Sequence, residues 1–167
     1  IVKCSKVILN HSMPSAEDIS MKEAEHNKWI DENWITVGKA MFYRRDYDKA
    51  LKNFLFVKRF FKKDPSRYIS ELWIARIYIE QKKYADAKIL LDELQQTALD
   101  QKKKTVKGLL NRFKKKNPNE ELEPTMTNSL QFEIFKTQAD LAIKRNQFDE
   151  AVFSLTNAIK KSEIKQE

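Results

Sequence analysis

Residues 34–57 read WITVGKAMFYRRDYDKALKNFLFV, and residues 71–94 read ELWIARIYIEQKKYADAKILLDEL. The second stretch repeats the first at an offset of 37 positions, the distance from Tyr47 to Tyr84. At that offset Gly38 aligns with Ala75, Asp48 with Ala85, Ala50 with Ala87, Phe54 with Leu91 and Val57 with Leu94. Each copy is an amphipathic stretch, a short polar break, and a second stretch that opens on an aromatic. A period of this size marks an array of helical hairpins. The expected fold is therefore all-α: an α-α superhelix of about three hairpins.

Outward from these two copies the pattern continues on one side and thins on the other. The predicted helices of the pair are 28–45 and 47–62, then 67–82 and 84–98. Arg44-Arg45-Asp46 and Gln81-Lys82-Lys83 form the breaks, and Pro65 stops the second helix. A third pair is read at 128–145 and 148–163, with its break at Arg145-Asn146-Gln147. There Phe148 stands for Tyr84, Ala151 for Ala87, Leu155 for Leu91 and Ala158 for Leu94. Ala87 and Ala151 are 64 positions apart, one repeat of about 34 plus an insertion of roughly thirty residues. The repeats fall at about 31–64, 68–98 and 132–163, with an insertion at about 99–127. Its basic part, LDQKKKTVKGLLNRFKKKN at 99–117, carries a thin apolar stripe of Val106, Leu109, Leu110 and Phe113. The acidic, proline-bearing NPNEELEPT at 117–125 reads as a loop. An extra N-terminal helix over 1–11 has Val2, Cys4, Val7, Ile8 and Leu9 on one stripe and ends near Pro14. Residues 15–27 are polar, and Asn27 is the expected N-cap of the next helix.

The spacing has a packing reason. Antiparallel helices joined by a tight turn approach closely, so each needs a small residue at the crossing. Gly38, Ala75 and Ala139 supply it on the first helices; Ala50, Ala87 and Ala151 supply it on the second. The opening aromatics Tyr47, Tyr84 and Phe148 are expected to plug the gap between one pair and the next.

These positions resemble the tetratricopeptide repeat (TPR). The family's small–aromatic spacing stands as Gly38, Met41, Tyr47, Ala50 and Phe54, then Ala75, Tyr78, Tyr84, Ala87 and Leu91, then Ala139, Ala142, Phe148, Ala151 and Leu155. The first two copies lack the family proline at its usual place, and Pro65 falls a few positions late. A second resemblance rests on SKVILNHSM at 5–13, NKWID at 27–31, GKAMFYRRDYDKAL at 38–51 and WIARIYIE at 73–80. These stretches are similar to the repeat-bearing lipoprotein of the Bacteroidetes gliding-motility and type IX secretion machinery, the SprE/PorW type. The resemblance implies a scaffold on the periplasmic face of the outer membrane. Its partners would be other components of an envelope complex, and a lipid anchor would tie the parent protein to the membrane. The insertion at 99–127 is not part of that pattern.

Composition agrees with helices and narrows the chemistry. The 167 residues make one domain with room for a substantial core. With only 2 glycines and 4 prolines, long helices are favoured over tight β-turns. A formal net charge of +8 favours anionic partners. The single cysteine, Cys4, excludes an internal disulfide and reads as a small buried hydrophobe. It does not read as a lipidated cysteine, because Lys3 precedes it and no apolar leader does. No stretch is long and apolar enough to span a bilayer. Because Ile1 stands inside a helical pattern, the chain is expected to be a piece of a longer protein.

No catalytic motif emerges. His11 and His26 lie in or beside predicted loops with no nucleophile at recognisable spacing, and both read as surface residues. Gly38 and Gly108 are isolated, so no phosphate-cradling loop exists, and no Cys/His/carboxylate cluster has metal-ligand spacing. A non-enzymatic scaffold without cofactor, metal or small-molecule substrate is expected.

Two surfaces stand out. The first-helix positions not used for packing are Lys39 and Tyr43, then Trp73, Arg76 and Glu80, then Lys136, Asp140 and Lys144. Exposed aromatics and arginine are common protein anchors, and an ordinary polar helix face stands equally beside that reading. Lys39 and Arg76 occupy matching places in adjacent copies and could clamp a carboxylate together. The second surface is basic: Lys102, Lys103, Lys104, Lys107, Arg112, Lys114, Lys115 and Lys116. It reads first as a solvated helix lying on Val106, Leu110 and Phe113. Anionic lipid or an acidic partner is the sharper alternative. Nucleic acid fits poorly, since no exposed aromatics interleave the cations for stacking. The alternatives to an envelope scaffold are thus an adaptor clasping a peptide tail and an anion-binding module. Added salt separates them, collapsing the anion contact and sparing an apolar groove.

Overall fold

The structure, a computed structural model, describes Lys3 and residues 30–110 and 126–163. All regular structure there is helical: α1 (Ile30–Tyr43), α2 (Tyr47–Phe60), α3 (Ser66–Glu80), α4 (Tyr84–Leu110), α5 (Asn128–Lys144) and α6 (Phe148–Glu163). The expected N-terminal helix, Cys4, His11, His26, Asn27 and the loop at 117–125 lie outside the described residues. The described chain forms two compact units, Ile1–Ile77 and Tyr78–Glu167, and the boundary falls within α3.

The three polar breaks fold into one and the same turn. Arg45, Lys82 and Asn146 take φ of 63°, 60° and 60°. The next residue's N–H reaches back to the carbonyl five positions earlier: Asp46 to Met41 at 3.0 Å, Lys83 to Tyr78 at 2.8 Å and Gln147 to Ala142 at 2.8 Å. The left-handed residue itself donates three positions back, to Phe42, Ile79 and Ile143. This is the Schellman ending, which satisfies carbonyls a helix end would leave orphaned. Glycine is its usual occupant, so arginine and lysine there carry a steric cost. Asp46 then caps α2 by accepting from the Lys49 N–H at 3.4 Å, and its carboxylate meets Lys49 Nζ at 2.8 Å. The hydrogen bond from the Lys49 side chain holds the Asp46 carboxyl below its ordinary pKa.

In the first unit α1 and α2 cross at Gly38 and Phe54. A Cβ on Gly38 would lie 2.7 Å from two ring carbons of Phe54, so only glycine fits against that ring. Phe54 and Val57 are fully buried, with Ala50 between the helices also at zero exposure. The α3 residues Tyr68, Leu72, Trp73, Ile74, Ala75 and Ile77 are all buried, so this helix has almost no outer face. One buried acid sits among them. Glu71 pairs with Lys58 at 3.3 Å and with Arg67 at 3.4 Å. Burying a carboxylate costs several kcal/mol, roughly, unless cations flank it in this way.

In the second unit α4, α5 and α6 surround Leu91, Leu94, Ile134, Ala139, Leu141 and Ala142. Thr127 caps α5 by accepting from the Leu130 N–H at 3.2 Å. The second helix of the middle hairpin, expected to stop near 98, runs on to Leu110. The cause is the absence of any stop signal: no proline or glycine occurs between Tyr84 and Gly108. Local pairs extend the helix, Gln96 donating to Asp100 at 3.1 Å and Lys103 meeting Asp100 at 3.5 Å. Ala98 is still buried, and Gln101 accepts from the Met126 N–H at 2.8 Å, tying the chain entering α5 to the middle of α4. The basic stretch therefore begins as a direct continuation of the hairpin helix.

Candidate interaction surface

Trp73 of α3 organises the first unit's exposed side. It was expected to project from the face; instead it is 7 % exposed and forms the floor. Phe54 stacks on it with centroids 5.9 Å apart and planes 14° apart. Phe42 and Tyr43 of α1 approach edge-on at 5.2 and 5.9 Å. Such offset and edge contacts place positive ring edges against negative faces. Spacing along α3 alone cannot distinguish this tryptophan from an outward one, because apolar residues surround that helix.

Two cations lie over the indole. The Arg76 guanidinium is 4.6 Å from the ring centroid and Lys39 Nζ is 5.5 Å from it. Both side chains are half-buried. Arg76 follows Trp73 by three positions on α3, and Lys39 precedes Tyr43 by four on α1, so each cation shares a helix row with an aromatic. The Lys39 amine is pushed below its ordinary value of 10.5, first by burial and then by the positive charge of Arg76. Tyr43, 73 % exposed, stands beside this pair as the projecting aromatic. The sequence-predicted residues Lys39, Tyr43, Trp73 and Arg76 thus converge, on a scale set by one indole ring.

The remaining predicted positions, in the second unit, are arranged differently. Glu80 accepts from Lys144 Nζ at 2.6 Å. That hydrogen bond raises the Lys144 pKa above its ordinary value, against the opposing effect of burial, and Asp140 adds to the rise. Lys136 pairs with Glu133 at 3.2 Å and lies 5.2 Å from the Phe132 ring. Here positive and negative charges are already matched. A cleft of ≈ 390 Å³ opens elsewhere in this unit, floored by Leu91, Leu141 and Ala142 and edged by Lys88, Arg145 and Phe153. Nothing in the repeat pattern announced it, since its walls come from three different helices.

Of the basic set, Lys103 is exposed and paired with Asp100. Lys102, Lys104 and Lys107 fall on the last turns of α4, and Arg112, Lys114, Lys115 and Lys116 lie outside the described residues. Among the described residues no cluster of His, Cys, Asp and Glu could hold a metal ion, and no helix is long and apolar enough to cross a membrane. Fold and surface together define an all-α protein of recurring helical hairpins with a cationic aromatic face. Comparison with family models, curated proteins and solved structures gives no match.

Proposed function

We propose that this chain is a non-enzymatic protein-interaction scaffold of TPR-like hairpins that receives an acidic segment of a partner protein on the Lys39–Trp73–Arg76 face. The observation that supports it is the pair of like charges held over one buried indole, where burial first and the Arg76 charge second depress the Lys39 amine. A carboxylate bridging the two cations relieves their repulsion and favours the protonated form of Lys39. Tyr43 offers the apolar contact beside it. The setting we propose is a cell-envelope assembly of the secretion or gliding-motility kind, its other components being the partners. That setting rests on the resemblance of residues 5–94.

The test is titration of the chain with a fluorescent peptide that ends in aspartates and glutamates. Arg76→Glu should weaken binding by at least about tenfold, and Lys39→Glu by a similar factor. The pH dependence has a definite sign. Lys39 loses its proton as pH rises through its lowered pKa, so affinity should fall on the alkaline side before ordinary lysines titrate. Binding on the alkaline side, as Lys39 titrates, should accordingly take up protons. Unchanged affinity after charge reversal at Arg76 would defeat the proposal.

A further inference from the structure

Helix α6 carries a second surface that the acidic-segment reading does not use. Phe148, Val152, Leu155 and Ile159 are 61 %, 63 %, 42 % and 56 % exposed. Their spacing is four, three, four, which places them on one line, as the a and d positions of a coiled-coil seam. The buried line of the same helix is a different one, Ala151, Ser154 and Ala158. Phe153, 67 % exposed, lies about 100° round the helix from Val152, on the side that edges the cleft, and is not part of the strip.

Phe148 and Leu155 are positions of the repeat, and Val152 and Ile159 join them into a continuous strip. The corresponding positions on α4 are Tyr84, Lys88, Leu91 and Gln95, and on α2 they are Tyr47, Leu51, Phe54 and Lys58. Ile159 stands where the other copies have glutamine and lysine, and Val152 where α4 has lysine. Only α6 is apolar at all four. Its charges are also sorted by end: Asp149 and Glu150 fill the first turn, Lys160 and Lys161 the last. Asp149 and Lys160 fall on the same flank of the strip.

We infer that this strip is the contact face for a second copy of the chain, with the two α6 helices packed antiparallel about a two-fold axis between Val152 and Leu155. In that arrangement Phe148 meets the partner's Ile159, and Val152 meets the partner's Leu155. The acidic first turn of each helix lies beside the basic last turn of the other, and the two macrodipoles oppose. A parallel pair would set acid against acid and base against base. The strip is short, and each chain carries a net charge of +8, so the pair is a weak one, with a Kd on the order of 100 µM.

Sedimentation equilibrium of the chain, from about 1 µM to about 1 mM, reads the mass directly. The expected result is a rise from one chain to two across that range. Leu155→Glu, at an exposed site that leaves helix content unchanged by circular dichroism, should weaken the association at least about tenfold. Asp149→Lys should weaken it, and Asp149→Lys combined with Lys160→Asp should restore it. A single-chain mass at every concentration overturns the inference. So does a dimer indifferent to Leu155→Glu, or a charge swap that fails to restore what Asp149→Lys removes.

Discussion

The first hairpin, α1–α2, and the last, α5–α6, close with the same left-handed turn and with small residues at matching places, yet they bury different things. Phe54 on α2 has no exposed surface, whereas Leu155, its counterpart on α6, is 42 % exposed. Tyr47 is half-buried, and Phe148, which opens α6, is 61 % exposed. The difference lies in the third element. Trp73 of α3 stacks on Phe54 and closes the first hairpin's open side. No described element does this for the line Phe148–Val152–Leu155–Ile159. A hairpin motif thus sets the crossing of two helices, and a third helix decides whether the motif's remaining apolar positions become core.

The largest expected effect tests that division directly. Phe54→Ala should cost about 3–5 kcal/mol of stability in urea unfolding, as a large ring leaves a sealed site. Leu155→Ala should cost less than about 1 kcal/mol, being half open to water. Equal losses would break the comparison. The next effect concerns the crossing itself. Gly38→Ala should cost about 1–3 kcal/mol, because the new methyl meets the Phe54 ring at 2.7 Å. The other two copies combine alanine with leucine at these positions, as Ala75 with Leu91 and Ala139 with Leu155. Phe54→Leu in the same molecule should therefore recover part of the Gly38→Ala loss, and strict additivity of the two would contradict the steric account. The smallest effect concerns what the hairpins share. Arg45→Gly and Lys82→Gly should each raise stability by about 0.5 kcal/mol, since glycine adopts positive φ without a Cβ penalty. Asn146→Gly should gain less, because asparagine already tolerates that region. A loss in all three would show that the cationic side chains at the turns contribute more than the backbone geometry costs them.

Much of this architecture is legible in the chain itself. The breaks at Arg44–Asp46, Gln81–Lys83 and Arg145–Gln147 fall where the turns form, and α6 begins at Phe148 and runs through Glu163 as the pattern predicts. These are local signals: polar residues interrupt an apolar period, and the backbone answers within five residues. The reading fails where the signal is a missing one. A repeat length near that of its neighbours implied an end to α4 by residue 98, but no residue there stops a helix, and it continues to Leu110. Trp73 was expected to project because it was read as a first-helix position left over from packing. On α3 apolar residues lie on every side, so its sequence carries no inward direction. The Glu80–Lys144 pair joins positions 64 apart and has no periodic signature at all.

The contrast between Lys39 and Lys144 states the same division in charge. Both stand on first helices at positions left over from packing, and nothing in the sequence distinguishes them. One is depressed by burial and a neighbouring arginine, the other raised by a carboxylate hydrogen bond. Helix, turn and hairpin were determined by residues within a few positions of one another, because backbone hydrogen bonds and steric fit act at that range. Which aromatic became floor, which lysine lost its ordinary basicity and which leucine stayed wet were decided by tertiary neighbours, because burial and Coulomb interactions depend on distance in space, whatever the separation along the chain.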